Sequence, residues 1–175
     1  VCSLRPKEEK LTFACIFELD KNAKMINHRI AKTVIYSDRR YTYEEVQEIL
    51  EGGDGDYVNE LNSLNTLAKT LRQKRMTEGS IAFDKIEVRF DLDEDKKPIG
   101  VYFKTQKDAH KLIEEFMLLA NRTVAESIAK PKDKNAKPKP FIYRIHDNPD
   151  PEKLMIFSDF IKKFGYDYKF SKGNI

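Results

Sequence analysis

The chain has 175 residues, of which 40% are hydrophobic and 35% are charged, and its net charge is +3. This balance is typical of one globular domain with a buried core, and it argues against a disordered or fibrous protein. The charge alone is too small to indicate a nucleic-acid-binding protein, and no apolar run approaches the roughly 18 residues that cross a membrane.

The first part of the chain is predicted to form a β-hairpin. Apolar side chains alternate over residues 11–19 with the period of a half-buried strand, and a second strand is predicted over residues 25–37 after a short polar turn. The alternating positions are Leu11, Phe13, Cys15, Phe17 and Leu19 in the first strand and Ile26, Ile30, Val34 and Tyr36 in the second. We expect the two strands to pair with each other.

A short helix follows, and its start carries a cluster of cations and phenol rings. Thr42 and Glu45 form a capping box, and Gly52 ends the helix. The cluster consists of Arg39, Arg40, Tyr41 and Tyr43. Such residues at a helix N-terminus suit phosphate and ribose contacts. The alternative is that the aromatic rings staple the helix to the core.

Residues 57–78 are predicted to form a long helix, and residues 80–91 and 99–103 an antiparallel pair of strands. A leucine stripe on the helix indicates core or partner packing. Its basic end, residues 72–75, either contacts a polyanion or lies in solvent, where the helix dipole favours it. In the first of the two strands, alternate residues are expected to point inward, namely Ile86, Val88, Phe90 and Leu92.

The longest helical pattern covers residues 108–129. Its apolar face is predicted to contain Ala109, Ile113, Phe116, Met117, Ala120, Val124 and Ile128. Glu115, Arg122 and Glu126 fall on the opposite face, where water is expected. His110, Glu114 and Asn121 fall at the edge between the faces. A carboxylate beside an imidazole and an amide either binds a ligand there or remains partly solvated.

The last part of the chain begins with a lysine- and proline-rich loop at residues 130–140, followed by a short strand at 141–145. Asp150 is a candidate N-cap with Pro151 in the first helical position, and Gly165 ends the last helix. The buried face of this helix is predicted to contain Leu154, Phe157, Ile161 and Phe164.

No motif for a nucleophile, a phosphate-binding glycine loop or zinc is present in the sequence. The acidic pairs lie in different elements, so their spacing does not predict a two-metal site. Cys2 and Cys15 are too few for a disulfide framework, which favours reduced thiols and a cytoplasmic protein. From the residues alone we predict an α+β fold, in which a mixed or antiparallel sheet packs with long amphipathic helices, and a polar cleft.

A resemblance adds to this interpretation. The segments CSLRP, RRYTYEEVQEIL, SIAF, HKLIEEFMLLAN and YRIHDNP, in this order and spacing, resemble bacterial ribonuclease R of the ribonuclease II superfamily. The resemblance covers nearly the whole chain and implies the central part of the catalytic RNB domain over residues 1–175. It also implies that a metal-binding aspartate motif lies before this sequence and an arginine motif after it.

The family implies a processive 3′→5′ exoribonuclease that hydrolyses single-stranded RNA from its 3′ end to nucleoside 5′-monophosphates with Mg²⁺. Because the family's aspartates lie outside the sequence, we expect no catalytic or metal-binding residue in this chain and no hydrolysis by the chain alone. Apolar surface normally covered by the missing parts would then be exposed and would favour self-association. The alternative is an RNA-binding relative that has lost catalysis.

Three RNA-binding residues carry over from the resemblance. Tyr43 and Glu114 match residues that read the ribose hydroxyls, and Phe83 matches an aromatic residue that stacks on bases near the 3′ end. The alternatives are that Tyr43 is a staple, Glu114 a solvated edge residue and Phe83 part of the strand core. The residues Arg144, His146 and Asp147 also match a family segment, for which the resemblance implies no role beyond structure.

Overall fold

The computed structural model describes residues 3–82, 87–129, 139–145 and 147–168. Within these ranges the chain contains two antiparallel two-stranded sheets and four helices, which confirms the α+β class. The chain divides into two compact units, residues 1–138 and 139–175. Three predictions lie outside the described residues: the role of Phe83, most of the 130–140 loop, and any role of His146.

The first sheet is the predicted hairpin. Strand β1, Glu9–Leu19, pairs with β2, Met25–Tyr36, and the turn between them is held by Asp20, whose Oδ1 accepts from the backbone N–H of Asn22 at 2.8 Å. The expected half-burial of its apolar face is confirmed for Cys15, Phe17 and Leu19 and is wrong for Leu11 and Phe13, which are 87% and 78% exposed. The more buried end of this face lies near the turn, where His28, which pairs with Phe17, places Nε2 3.2 Å from Oγ of Ser127.

The second sheet pairs β3, Glu87–Leu92, with β4, Pro98–Lys104. The predicted antiparallel pairing is confirmed, with Val88 opposite Phe103 and Phe90 opposite Val101. The prediction that the apolar side chains of this strand point into a core is wrong for the three described positions, because Val88, Phe90 and Leu92 are all more than half exposed. Alternation identifies a face that is suited to burial, but it does not supply the partner that buries it.

Three helices pack against one another in the first unit. They are α1, Tyr43–Leu50, α2, Val58–Thr77, and α3, Asp108–Ala129. Their small core contains one or two apolar residues from each helix, namely Ile49, Ala68, Ala109 and Leu112. Among the described residues, none of the helices is both long enough and apolar enough to cross a membrane.

The orientation of α3 differs from the predicted one. Ile113 and Met117, expected at the centre of the buried face, are each about half exposed, whereas Glu115, expected in water, is only 3% exposed. Leu112 and Thr123 are buried on the same side as Glu115. The buried face is therefore rotated from the most apolar one, because acidic side chains of α3 pair with arginines of α2.

The second unit contains helix α4, Pro151–Lys162. The predicted cap is confirmed, since Asp150 Oδ1 accepts from the N–H of Glu152 at 2.9 Å and Pro151 begins the helix. The predicted strand at residues 141–145 is wrong, because no described segment pairs with it. The predicted buried face is also wrong in part, because Phe157 and Phe164 are largely exposed.

The start of α1 is fixed by a complete capping box. Glu45 Oε2 accepts from the backbone N–H of Thr42 at 2.6 Å, and Thr42 Oγ1 accepts from the N–H of Glu45 at 3.2 Å. These hydrogen bonds to Thr42, with a smaller contribution from the charge of Arg39, lower the pKa of the Glu45 carboxyl. A lowered folded-state pKa gives stability that is present above the ordinary glutamate range and is lost as the pH falls through the lowered value.

We expect Thr42→Ala to lower the free energy of unfolding by about 1 kcal/mol, because the first turn of α1 loses its side-chain acceptor. The difference from the unsubstituted chain should shrink at acidic pH, where protonated Glu45 no longer completes the box. Denaturant titrations at several pH values measure both effects. Thr66→Ala is the matched control, since Thr66 Oγ1 bonds only to a carbonyl oxygen of its own helix, at Asn62. An equal loss in both variants would contradict the capping role.

Candidate functional site

Tyr43 is the first residue of α1, and its ring lies on the imidazole of His110 in the first turn of α3. The ring centroids are 4.1 Å apart and the planes are inclined by only 12°. The backbone N–H of Lys107 donates to Nδ1 of His110 at 3.4 Å, which restrains the imidazole. Tyr43 is still 41% exposed. The ring is therefore fixed by stacking without being buried in the core.

Tyr43 and His110 line an open cleft of about 360 Å³ between α1, the end of β4 and the start of α3. Gln47 joins the two helices at this cleft, because its Oε1 accepts from the backbone N–H of Ala109 at 3.0 Å. Lys107 Nζ lies 3.6 Å from Glu51 across the same opening. Side chains of α1 therefore determine where α3 begins, and with it the position of His110.

Glu114 lies one helical turn after His110, about 6 Å further along the same side of α3. Its Oε1 accepts from Arg75 Nη2 at 3.0 Å and lies 3.7 Å from Arg72 Nη1. A second cavity of about 240 Å³ is lined by Glu114 together with Ile81 and Ala82. Tyr43, through its stack on His110, and Glu114, one turn later, therefore lie along one side of α3, but they line different cavities. Phe83 follows Ala82 and lies outside the described residues.

Glu115 is buried between α2 and α3, and the same arginines neutralise it. Arg75 donates from Nη2 to Oε1 at 2.6 Å and from Nε to Oε2 at 3.2 Å, and Arg72 Nη1 donates to Oε1 at 3.4 Å. The hydrogen bond to Glu115 raises the pKa of Arg75 above its ordinary value. The prediction that residues 72–75 lie in solvent is therefore wrong for Arg72 and Arg75, because both pair with acidic side chains of α3.

The cations before α1 are also engaged with the protein. Arg39 Nη2 lies 3.1 Å from Glu45 Oε1, and Arg39 Nε lies 3.7 Å from Asp56. The guanidinium lies over the ring of Tyr41, whose hydroxyl donates to the carbonyl oxygen of Asp56 at 2.7 Å. These contacts tie the start of α1 to the loop before α2. Arg40 is exposed beside them.

The described acids do not fit a Mg²⁺ site. Among residues 3–82, 87–129, 139–145 and 147–168, no three His, Cys, Asp or Glu side chains are grouped as metal ligands. Glu114 and Glu115 are adjacent, but both face guanidinium groups, which satisfy their charge in place of a cation. No step of the chemistry can be assigned to a metal held by these residues.

Several important residues were not identified from the sequence. The sequence predicts His110 only as an edge residue of α3, predicts Glu115 in solvent, and leaves Arg75 either in contact with a polyanion or in solvent. The spacing of Arg72 and Arg75 at i, i+3, opposite two consecutive acids in another helix, is the signal that could have indicated an interhelical ion cluster. Gln47 carries no such signal, because its role depends on where α3 begins.

The RNB domain family matches residues 1–173, and the chain belongs to this family. It is 33% identical over 174 residues to ribonuclease R 1 of Lactococcus lactis, covering 94% of this chain and 20% of that protein. Two structures of Mycoplasma genitalium RNase R share its fold. The complex with ribose-methylated single-stranded RNA gives a TM-score of 0.78 at 23% identity, over 99% of this chain and 27% of that one. The complex with double-stranded RNA gives 0.83 at 24%, over 99% and 31%.

Yeast Ssd1, described as a pseudonuclease, has the same fold with a TM-score of 0.65 at 20% identity, over 97% of this chain and 20% of that one. The chain spans about a fifth of the length of the Lactococcus relative, and the same share of Ssd1. The confirmed resemblance is to the family. The roles of Tyr43, Phe83 and Glu114 remain predictions.

We expect His110→Ala to destabilise the chain and to release the ring of Tyr43, because an aromatic pair contributes about 0.5–1.5 kcal/mol beyond its buried area. Tyrosine fluorescence quenching by acrylamide should increase at the same time. His110→Phe is the matched control, since it retains a ring that can stack on Tyr43. If His110→Phe and His110→Ala were equally destabilised and equally quenched, stacking would not be what holds Tyr43.

Proposed function

We propose that this chain is part of the catalytic domain of a processive 3′→5′ exoribonuclease of the ribonuclease R type, and that its α1–α3 edge binds the 3′ end of single-stranded RNA. Membership of the RNB domain family and the ribonuclease name of the Lactococcus relative support the class. One observation carries the assignment of the site. It is the stack of Tyr43 on His110, one turn before Glu114 on the same side of α3.

The chemistry of these side chains suits a ribose. A phenol hydroxyl both donates and accepts, and a carboxylate oxygen accepts from a sugar hydroxyl. Both contacts of Glu114 with the described arginines use Oε1, so within the described residues Oε2 is the oxygen that can accept from a ligand. Because the 2′-hydroxyl distinguishes RNA from DNA, we propose that Tyr43 and Glu114 select RNA by reading it.

Phe83 is proposed as the residue that stacks on the bases next to this ribose. The family resemblance supports this role, and Phe83 itself lies outside the described residues. Base stacking on an aromatic side chain contributes about 1–3 kcal/mol per base and does not depend on sequence. That tolerance suits an enzyme that moves along any RNA.

Hydrolysis is proposed to depend on Mg²⁺ held outside the described residues. The acids at the α2–α3 contact are neutralised by Arg72 and Arg75, which supports a binding role for this region. We further propose that the parent protein works in the cytoplasm on RNA. The exposed apolar faces of both hairpins support self-association of the isolated chain.

A second candidate function is RNA binding without hydrolysis. The fold shared with Ssd1, a pseudonuclease, favours this alternative, because this architecture occurs in a protein so described. Incubating the longer protein that contains this chain with labelled single-stranded RNA distinguishes the two. Release of nucleoside monophosphates that requires Mg²⁺ and stops with EDTA supports the exoribonuclease. If the protein binds RNA in a salt-sensitive manner but releases no nucleotides, the result supports RNA binding without hydrolysis.

In that longer protein, we expect Glu114→Ala and Tyr43→Phe each to lower the preference for RNA over DNA about tenfold, because a hydrogen bond that involves a charged group contributes about 1.5–3 kcal/mol and a neutral one less. The kcat for RNA should fall by a smaller factor. The measurement is kcat/KM on matched oligonucleotides with ribose or deoxyribose at the 3′ end. Tyr43→Phe keeps the ring that stacks on His110 and removes only the hydroxyl.

Glu126→Ala is the matched control, since it also removes one carboxylate from α3 but lies on the exposed side, paired with Arg122. Its preference for RNA should equal that of the unsubstituted protein. An unchanged RNA:DNA ratio of kcat/KM in both the Glu114 and Tyr43 variants would contradict the proposed roles of the two side chains.

The 175-residue chain by itself is expected to release no nucleotides from RNA with Mg²⁺ and to bind RNA weakly. The physical reason is that the described acids are not grouped as metal ligands, and that the adjacent pair, Glu114 and Glu115, is paired with arginines. Thin-layer chromatography of labelled RNA after incubation with the chain, with and without EDTA, is the measurement. Metal-dependent nucleotide release by the chain alone would contradict the expectation.

A further inference from the structure

We propose that Arg75 is a positioning residue for Glu114, that the buried carboxylate of Glu115 holds Arg75 in place, and that this connection sets how strictly the site selects ribose. The inference rests on the proposed function of Glu114 as a ribose-binding group. It adds a residue from a different helix, α2, which none of the sequence patterns assigned to the site.

The guanidinium of Arg75 joins two consecutive acids of α3. Its Nε and Nη2 donate to the two oxygens of Glu115 at 3.2 and 2.6 Å, which is the forked geometry that arginine makes with one carboxylate. The same Nη2 donates to Oε1 of Glu114 at 3.0 Å. One rigid planar group therefore relates the position of Glu114 to that of Glu115.

The three side chains differ in burial in a way that gives each a separate role. Glu115 is 3% exposed, while Arg75 and Glu114 are 28% and 33% exposed. A buried carboxylate with two hydrogen bonds from one guanidinium has little freedom to move, so it is the fixed end of the connection. Glu114 is the accessible end, at the wall of the cavity that begins beside Ile81.

Successive side chains of a helix point about 100° apart, so Glu114 and Glu115 would not hold a fixed position relative to each other by themselves. Arg75 provides the shared partner that relates them. Glu114 and Glu115 also repel each other when both are ionised. Arg72 adds a second cation, but its Nη1 contacts only the Oε1 atoms, at 3.7 and 3.4 Å. Arg72 therefore contributes charge, whereas the two hydrogen bonds from Arg75 to Glu115 fix the orientation of the Arg75 guanidinium.

The contact also determines which oxygen of Glu114 is available. Oε1 accepts from Arg75, and because both contacts with the described arginines use this oxygen, Oε2 is the oxygen better placed to accept from a sugar hydroxyl. A carboxylate already held in one orientation loses less freedom on binding, so its hydrogen bond discriminates more strongly. Lysine keeps the charge but lacks the planar fork, and it should therefore hold Glu114 less well.

The test uses the longer protein and compares Arg75→Lys, Glu114→Ala and the double variant on 3′-ribose and 3′-deoxyribose oligonucleotides. Arg75→Lys should lower the RNA:DNA ratio of kcat/KM about five- to tenfold, with most of the change in KM for RNA, and should add nothing to the Glu114→Ala variant. Glu115→Gln, which weakens the hold on Arg75, should act in the same direction and guards against poor folding of Arg75→Lys. Arg122→Lys is the control, since Arg122 pairs with Glu126 on the exposed side of α3, and it should change the ratio little.

The outcomes separate the two proposals. If Glu114→Ala leaves the RNA:DNA ratio unchanged, the proposed function of Glu114 fails. If Glu114→Ala lowers the ratio but Arg75→Lys or Glu115→Gln lowers it further by the same factor in that background, Arg75 does not act through Glu114 and the inference is overturned. The same holds if both Arg75→Lys and Glu115→Gln keep the full ratio, or change only the thermal unfolding midpoint.

Discussion

The ion pair between Arg75 and the buried Glu115 is the interaction on which the arrangement of α2 and α3 depends. A carboxylate with 3% exposure is stable in its ionised form only when charge and hydrogen bonds replace the water it has lost. That requirement fixes the rotation of α3 about its own axis. It places Glu115 inward, Ile113 outward, and His110 and Glu114 along the edge that faces α1 and residues 81–82.

Local patterns predicted the elements well. The Thr42 capping box, both hairpins, the Asp150 cap and the extent of α3 agree with the structure, because each depends on residues within a few positions or on one turn. The orientation of the elements was predicted poorly. Leu11 and Phe90 are exposed and Glu115 is buried, since the burial of a face is decided by its partner. Hydrophobic periodicity carries no information about a partner from another part of the fold.

The candidate site came from two sources. Periodicity placed Glu114 at the edge of a helix, and the family resemblance gave it and Tyr43 a role. The stack of Tyr43 on His110 and the fork of Arg75 could not be predicted, because each joins residues at least 40 positions apart through packing of helices. Both depend on geometry that the amino-acid types permit but do not specify.

The amide of Gln47 has a consequence for how the cleft can vary. It accepts from the N–H of Ala109 and donates to Glu51 Oε1 at 2.9 Å, so a neutral side chain forms the joint between two helices. The same Glu51 oxygen lies 3.6 Å from Lys107 Nζ, so this joint is continuous with the charged rim of the cleft. A substitution at Lys107 or Glu51 would therefore change the charge of the opening and the contact between α1 and α3 together.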